Sequence, residues 1–150
     1  MKTGTASIHI DRAPAEVFAA IADVTRMGDW SPECLACRWV APADGPAVGA
    51  RFEGDNKAGL GPITLKTWTT TSEITACIPG EVFEFVAEEM TTWRYEFAAD
   101  GSGTRVTESF SFAAQGGFQG FLYERVMRRS VAMTKGMAET LTRVKAVLEA

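Results

Sequence analysis

The sequence is poor in histidine and cysteine, with one His and three Cys in 150 residues. Any Ser-His-Asp or Cys-His arrangement would have to rely on His9 alone. His9 alternates with Ile8 and Ile10, and this pattern predicts that it faces away from the core. We therefore expect neither nucleophilic catalysis of this kind nor a bound metal or cofactor.

Long apolar runs are also missing. No stretch of about 20 apolar residues is present, so no segment is expected to span a membrane. The first ten residues, MKTGTASIHI, lack the continuous apolar stretch of a signal peptide. An odd number of cysteines fits a reducing compartment, because three cannot pair fully within one chain. The expected location is the cytoplasm.

Positive charge is scarce as well. Fifteen Lys and Arg are outnumbered by 19 Asp and Glu, which gives a formal net charge of −4. A nucleic acid or an acidic membrane surface is therefore not an expected partner. Hydrophobic residues make up 46% of the chain, which is typical of a globular protein. We expect one domain, 1–150, with a core of its own.

The motif Cys34-Leu35-Ala36-Cys37 is a lone C-x-x-C, which is weak evidence for a metal or redox site without a second pair. The segment is predicted to be a strand, in which residues three apart point to opposite faces. A redox pair would also need a helix N-terminus to lower the thiol pKa. We therefore interpret these cysteines as structural, with zinc binding and redox chemistry as the weaker alternatives.

Short Gly/Pro clusters divide the chain into runs rich in Thr, Val, Ile and aromatic residues, which predict strands. Pro14 and Glu16 suit the first turn of a helix, and a second short helix or turn is predicted at 25–30. A long amphipathic helix is predicted at 118–149, where apolar residues recur at three- and four-residue steps. The predicted strands are 5–11, 34–41, 48–56, 63–77, 82–89, 91–99 and 104–113.

Two hairpin registers follow from the turns. A two-residue turn at Gly101–Ser102 pairs Phe97 with Val106, Tyr95 with Glu108, and Trp93 with Phe110. A two-residue turn at Pro79–Gly80 pairs Ala76 with Phe83 and Ile74 with Phe85. Both registers collect aromatic residues on one face, while the opposite face carries Thr, Glu, Arg and Ser. The pattern predicts a half-exposed antiparallel sheet.

One long helix is available to cover the aromatic face, and a single helix cannot fill a strongly curved sheet. A cavity between them is therefore expected, although each aromatic residue taken singly would also suit an ordinary core. Trp39, Trp68 and Tyr95 are among the residues whose parity fits this face, and Phe118 and Phe121 open the long helix. The candidate ligand-binding residues are Trp30, Trp39, Phe52, Asn56, Trp68, Phe83, Phe85, Trp93, Phe110, Phe118, Phe121, Met133 and Met137.

The order strand, two short helices, six strands and a long helix resembles the helix-grip fold of the START-like (SRPBCC) superfamily, an α+β fold. The polyketide cyclase/dehydrase family is the most similar member. The resemblance covers nearly the whole chain and implies an apolar ligand cavity between the sheet and the C-terminal helix. The segments that carry it are 13–18 (APAEVF) with Asp23, 30–33 (WSPE), 48–52 (VGARF), 93–97 (WRYEF), 103–108 (GTRVTE), and 136–141 (GMAETL) with Lys145.

Glu108 is the candidate catalytic residue with the most informative position. Its neighbours at plus and minus two, Val106 and Phe110, place it on the apolar face. Burial of a carboxylate is costly and raises its pKa, which is how a general acid or base near neutral pH arises. Tyr95 is expected directly opposite, within hydrogen-bonding reach. A structural Glu–Tyr or Glu–Arg contact, or a bulge that turns Glu108 outward, is the alternative.

Two other polar residues are weaker candidates. Glu33 follows Trp30-Ser31-Pro32 at the start of a strand and is expected at the cavity mouth, as a catalytic group or as a solvated charge. Asn56 shares the parity of Phe52 and is expected to face inward as a hydrogen-bonding group for a ligand.

Two main functions remain open. The first is a carrier or ligand-binding protein for a hydrophobic, aromatic or polycyclic small molecule, with lipids included. The second is an enzyme similar to polyketide cyclases or dehydratases, in which Glu108, Tyr95 and Glu33 exchange protons during aldol closure or water loss. A regulator whose ligand state alters the entrance loops is a third. The sequence leaves open whether the chain is a monomer or a homodimer.

Overall fold

The computed structural model describes residues 2–60, 63–112 and 129–150. Seven antiparallel strands form one open sheet in the order β1-β7-β6-β5-β4-β3-β2, and the helices pack on one side of it. This α+β helix-grip arrangement confirms the predicted fold class. The strands are β1 (Lys2–Ile10), β2 (Cys34–Trp39), β3 (Arg51–Leu60), β4 (Ile63–Ile78), β5 (Val82–Ala87), β6 (Thr91–Asp100) and β7 (Gly103–Phe112). The helices are α1 (Pro14–Ala22), α2 (Met27–Trp30) and α3 (Arg129–Leu148), with a 3-10 turn at Val24–Arg26.

Helix α1 begins at Pro14, whose missing N–H costs nothing in the first turn. Its buried side chains include Val17, Phe18 and Ile21, and the helix packs against β5, β6 and β7. It ends at Asp23, whose carboxylate accepts a 3.2 Å hydrogen bond from the Thr25 backbone N–H and caps the 3-10 turn. The helix therefore covers one end of the apolar face of the sheet.

Helix α3 packs mainly over β1, with further contacts to β7 and α2. Its buried residues Met133, Met137, Leu141 and Val144 follow the predicted apolar stripe. The remainder of the predicted helix 118–149, with Phe118 and Phe121, lies outside the described residues. The Nζ atom of Lys145 donates a 2.7 Å hydrogen bond to the His9 carbonyl and ties α3 to β1. No helix in the described ranges is long and apolar enough to cross a membrane.

The β6–β7 hairpin has the predicted register: Phe97 pairs with Val106, Tyr95 with Glu108, and Trp93 with Phe110. The predicted β4–β5 register is only partly right. Ile74 pairs with Phe85 as expected, whereas Phe83 pairs with Cys77 instead of Ala76. The cause is a three-residue connection that includes Glu81, followed by a bulge between Ile74 and Ala76 that restores the predicted register.

The expectation that Cys34 and Cys37 point to opposite faces is wrong. A register shift between Cys34 and Ala36 inserts an extra residue into β2, so that Cys34 pairs with Asn56 and Cys37 with Gly54. Both cysteines are consequently buried on the same face, with their Sγ atoms 3.2 Å apart. Strand β2 is an edge strand, a usual place for such a bulge.

Candidate functional site

Glu108 lies midway along β7 on the concave face of the sheet, between Ala6 on the edge strand β1 and Tyr95 on β6. Its neighbours on the same face of β7 are Val106 and Phe110, both buried. The side chain is only 3% exposed, so the sequence-based prediction of an inward carboxyl agrees with the structure. The predicted alternative of a bulge that turns it outward is excluded, because the β6–β7 register is continuous.

The two carboxyl oxygens of Glu108 differ in their partners. Oε1 accepts a 2.7 Å hydrogen bond from the Tyr95 hydroxyl. Oε2 is buried and has no hydrogen-bond partner among the residues that the structure describes. A buried polar atom without a partner is rare in proteins and is often found where a ligand or water binds.

Burial raises the pKa of Glu108 to about 8, while the Tyr95 hydrogen bond acts in the opposite direction. Burial, together with the neighbouring carboxyl, raises the pKa of Tyr95 well above its ordinary value. Both groups therefore carry their protons at neutral pH. Glu108 is then a neutral acid that holds one proton to donate, and Tyr95 is a fixed hydrogen-bond donor.

Glu108 marks the boundary between two groups of apolar side chains. The larger group contains Val106, Tyr95 and most of the aromatic residues of β3 to β6. The smaller group, which we call the α3 cluster, consists of Phe110, Phe112, Met133 and Met137. Ala6 and Trp93 are partly buried against both groups. The carboxyl thus lies between two apolar groups, each of which contains residues of the sheet and of α3.

The predicted aromatic lining forms a continuous series of ring contacts on the concave face. Ring centroids are 6.0 Å apart for Trp39 and Phe52, and 5.1 Å apart for Phe52 and Phe85. Phe83 continues the series and lies 6.3 Å from the Tyr95 ring. Near the α3 cluster, the Trp93 and Phe110 centroids are 5.6 Å apart. These contacts connect the far edge of the sheet with the Glu108–Tyr95 pair.

Trp30 and Trp68 differ in exposure and in the cation that lies near each ring. Trp30 is 2% exposed and belongs to the larger apolar group, with the Arg26 guanidinium 4.8 Å from its ring centroid. Trp68 is half-buried, and the Lys66 ammonium lies 5.7 Å from its ring centroid. Lys66 itself is exposed.

Asn56 faces the concave side of β3, but its amide nitrogen is already engaged. Nδ2 donates 3.1 Å hydrogen bonds to the Gly54 carbonyl and to the Thr70 hydroxyl. The amide therefore fastens β3 to β4. Its predicted role as a hydrogen-bonding group for a ligand stays a prediction.

Glu33 lies in the connection between α2 and β2, and its carbonyl accepts a 2.8 Å hydrogen bond from the Lys57 N–H. This position is at the β2 edge of the sheet, with four strands between β2 and β7. Glu108 and Tyr95 are the acid–base pair that the structure joins by a hydrogen bond, and the predicted place of Glu33 at the cavity mouth stays a prediction.

The clefts on the described part of the surface include two that border α3. One, of about 300 Å³, lies on the outer face of α3 and includes Lys135 and Glu139. The other, of about 260 Å³, lies between α2, β2, β3 and α3 and includes Cys34, Lys57 and Arg143. Neither is lined by Glu108 or Tyr95. The predicted cavity between the sheet and α3 stays a prediction.

Sequence reasoning missed Ala6, the small residue beside Glu108. It also missed the cleft that Cys34 lines together with Lys57 and Arg143. The partner of Ala6 is 102 positions distant along the chain, and β1–β7 pairing leaves no local signal. Clusters of three or more His, Cys, Asp or Glu that could hold a metal do not occur within the described ranges.

The chain is similar to known proteins over nearly its whole length. The sequence profile of a family described as polyketide cyclase/dehydrase and lipid transport matches residues 1–149. The polyketide cyclase-like protein Cgl2372 of Corynebacterium glutamicum is 33% identical, over 98% of this chain and 91% of its own, with a TM-score of 0.67. No curated protein is significantly similar to the chain.

More distant structures share the fold alone. The AHSA1-like protein of Aeromonas hydrophila is 18% identical, with 97% of this chain and 93% of that one covered and a TM-score of 0.66. Protein NE0264 of Nitrosomonas europaea is 13% identical, with 99% and 94% covered and a TM-score of 0.71.

Proposed function

The chain belongs to the polyketide cyclase/dehydrase and lipid transport family of the START-like superfamily, and from this premise we propose that it binds a hydrophobic small molecule. The proposed ligand is aromatic or polycyclic and lies between the concave face of the sheet and α3. It carries a hydroxyl or carbonyl oxygen that meets Glu108. The role is that of a carrier or ligand-binding protein.

The observation that carries this proposal is the buried Oε2 atom of Glu108, which has no partner among the described residues. An apolar site with one or two well-placed polar groups is typical of small-molecule binding. A neutral Glu108 donates its proton to a ligand oxygen, and Tyr95 holds the carboxyl in place from the other side. The ligand would satisfy a group that costs about 1–3 kcal/mol when left unpaired.

The side chains around Glu108 support an aromatic ligand. Trp93 and Phe110 offer ring faces and edges to a flat molecule. Met133 and Met137 on α3 are unbranched and polarisable, so they adapt to ligands of different outline and make favourable contacts with rings.

The raised pKa of Glu108 favours one second candidate, an acid–base enzyme of the cyclase or dehydratase type. A carboxyl with a pKa of about 8 both gives and takes protons near neutral pH, as aldol closure or water loss requires. The acid–base pair joined by a hydrogen bond is Glu108 with Tyr95, and a part for Glu33 stays a prediction. One carboxyl with one tyrosine is a smaller set of acid–base groups, so binding is the better-supported function.

Native mass spectrometry of the purified full chain tests the binding function. We expect a discrete apolar molecule that stays bound under native conditions and leaves on denaturation. A protein that retains no small molecule and also fails to bind added 1-naphthol, a hydroxylated aromatic probe, would contradict the proposal.

The enzyme alternative is tested with an aromatic β-hydroxy ketone, 4-hydroxy-4-phenylbutan-2-one, whose dehydration gives a conjugated enone that absorbs in the ultraviolet. Turnover that Glu108→Gln loses, while affinity for the compound is kept, would favour catalysis by Glu108. Equal rates in both proteins would exclude an acid–base role in this reaction.

A further inference from the structure

The bulge in β2 brings two thiols together beside a cleft. Cys34 and Cys37 are buried on the same face, with 3.2 Å between their Sγ atoms, and the Sδ atom of Met27 lies 3.8 Å from Cys37. Gly54 lies opposite Cys37, and a Cβ atom at Gly54 would approach Cys37 Sγ to 3.1 Å. The absence of a side chain there makes room for the second thiol.

Only one of the two thiols borders the cleft. Cys34 lines the cleft of about 260 Å³, together with Ser31, Lys57 and Arg143, whereas Cys37 does not. A reagent in the cleft therefore meets Cys34 first. Lys57 and Arg143 are the charged residues of this lining and favour a reagent that carries carboxylates, while the nearby Asp55 and Glu33 carboxylates act to raise the pKa of Cys34.

The hydrogen bond between the thiols gives them different chemistry. Either sulfur can be the donor in this hydrogen bond. With the Cys37 thiol as donor, the bond lowers the pKa of Cys34, against the effect of burial, and together with burial it raises the pKa of Cys37. Cys34 is also the thiol that borders the cleft. The thiolate is the nucleophile in thiol–disulfide exchange, so Cys34 suits attack and Cys37 suits the second, resolving step.

We propose that Cys34 and Cys37 form a dithiol site that a small anionic disulfide, of the chemical type of glutathione disulfide, oxidises to an intramolecular disulfide. The Cys34 thiolate attacks one sulfur of the reagent, which breaks the reagent's S–S bond and releases one thiolate. The Cys37 thiol then loses its proton, and its sulfur attacks Cys34 and releases the second thiolate. The protein gives up two electrons and two protons, and the reagent becomes two thiols.

The small number of other potential soft metal ligands favours disulfide formation over a metal site. Zinc in a structural site takes four ligands, and clusters of three or more His, Cys, Asp or Glu are absent from the described ranges. The third cysteine, Cys77, lies on β4, and burial raises its pKa. The two thiols of β2 thus have each other as reaction partners.

The test uses the reduced full chain with Cys77→Ser, treated with glutathione disulfide, quenched with acid and analysed by intact mass and peptide mapping. We expect a loss of two hydrogen atoms and a peptide cross-linked between Cys34 and Cys37. Adding Cys37→Ser should trap a glutathione adduct on Cys34. Adding Cys34→Ser instead should slow adduct formation on Cys37 by roughly tenfold or more.

Two results would overturn the proposal. One is the absence of the cross-link at a reagent concentration that modifies the same chain unfolded in urea. The other is adduct formation at equal rates in the two serine variants. Circular dichroism checks that each variant is folded. If the Cys34→Ser or Cys37→Ser variant does not fold, the presence or absence of the cross-link in the Cys77→Ser parent decides whether the proposal holds.

The contribution of charge is tested with Lys57→Gln and, as a matched control, Lys135→Gln on α3. We expect Lys57→Gln to slow oxidation by glutathione disulfide several-fold and to leave oxidation by the neutral 2-hydroxyethyl disulfide unchanged. Lys135→Gln should change neither rate. Equal effects of Lys57→Gln on both reagents would contradict the selection of an anionic disulfide.

Discussion

Tyr95 and Glu108 face each other across the β6–β7 hairpin, and the Tyr95 hydroxyl donates a 2.7 Å hydrogen bond to Oε1 of Glu108. The pair is close in sequence, yet its burial depends on distant elements. Strand β1 lies on the other side of Glu108, and α3 covers the neighbouring apolar residues. The carboxyl is consequently held in one orientation and kept neutral by its surroundings.

The first prediction concerns stability against pH. The Glu108 carboxyl titrates near 4.5 in the unfolded chain and near 8 in the folded one, so between these values the folded state binds one more proton. The free energy of unfolding should therefore fall with rising pH, by at most about 1.4 kcal/mol per pH unit, and level off above the folded pKa. Urea unfolding at a series of pH values measures this slope.

Glu108→Gln is the control, because the amide has nearly the same shape and does not titrate in this range. The difference in unfolding free energy between the wild type and the variant isolates Glu108 from all other groups. From pH 5 to pH 8, we expect the free energy of unfolding of the variant to rise relative to that of the wild type. A constant difference over that window would show that Glu108 has an ordinary pKa in the folded protein.

The second prediction concerns Tyr95→Phe, which removes the hydroxyl and keeps the ring. The Glu108 carboxyl then loses its one hydrogen bond among the described residues, and we expect a loss of about 1–3 kcal/mol of stability. The Tyr95 hydrogen bond lowers the pKa of Glu108, so its removal should raise that pKa further. The pH at which stability levels off should increase in the variant, and an unchanged value would contradict the assigned contact.

The third prediction concerns the docking of α3. Met137 is 1% exposed and packs in the α3 cluster, so Met137→Ala should cost about 2–5 kcal/mol of stability. Val131 on the same helix is 58% exposed, and Val131→Ala should change stability by about 0.5 kcal/mol or less. Comparable losses in the two variants would mean that α3 does not dock as described.

The fourth prediction concerns the close approach of β1 to Phe110. A Cβ atom at Gly4 would lie 2.8 Å from Cζ of Phe110, so Gly4→Ala forces the ring to move. We expect a loss of about 1–3 kcal/mol in stability and weaker binding of 1-naphthol. Gly45 has no atom within 4 Å of such a Cβ and serves as the control, with Gly45→Ala expected to be neutral.

The sequence predicted the β6–β7 hairpin correctly because a two-residue turn fixes every pair that follows it. The same reasoning misplaced Ala76 against Phe83, because the connection has three residues instead of two, and a bulge between Ile74 and Ala76 then restores the predicted register. The bulge in β2 likewise puts Cys34 and Cys37 on the same face of the strand, where simple alternation predicted opposite faces. The alternation of side chains between the two faces of a strand predicts their directions reliably only where the strand is regular.

The inward position of Glu108 was predictable because Val106 and Phe110 flank it at the alternating positions. Its neighbour Ala6 was not, because β1 and β7 are joined only by tertiary pairing. Glu33 precedes β2, which the strand order puts at the opposite edge of the sheet from β1, and its predicted place at the cavity mouth stays a prediction. Strand order is set by the whole fold, and local patterns do not reveal it.

The central claim is that the concave face binds an aromatic molecule whose oxygen meets Glu108. Carbon-13 NMR of the labelled full chain during titration with 1-naphthol tests it most directly. The account predicts one saturable site, with the largest shifts at the Glu108 carboxyl carbon and the Met137 methyl, and a smaller Glu108 shift with naphthalene, which has no hydroxyl. Saturable shifts confined to Thr107 and Ser109 on the opposite face, or no saturable shifts, would contradict it.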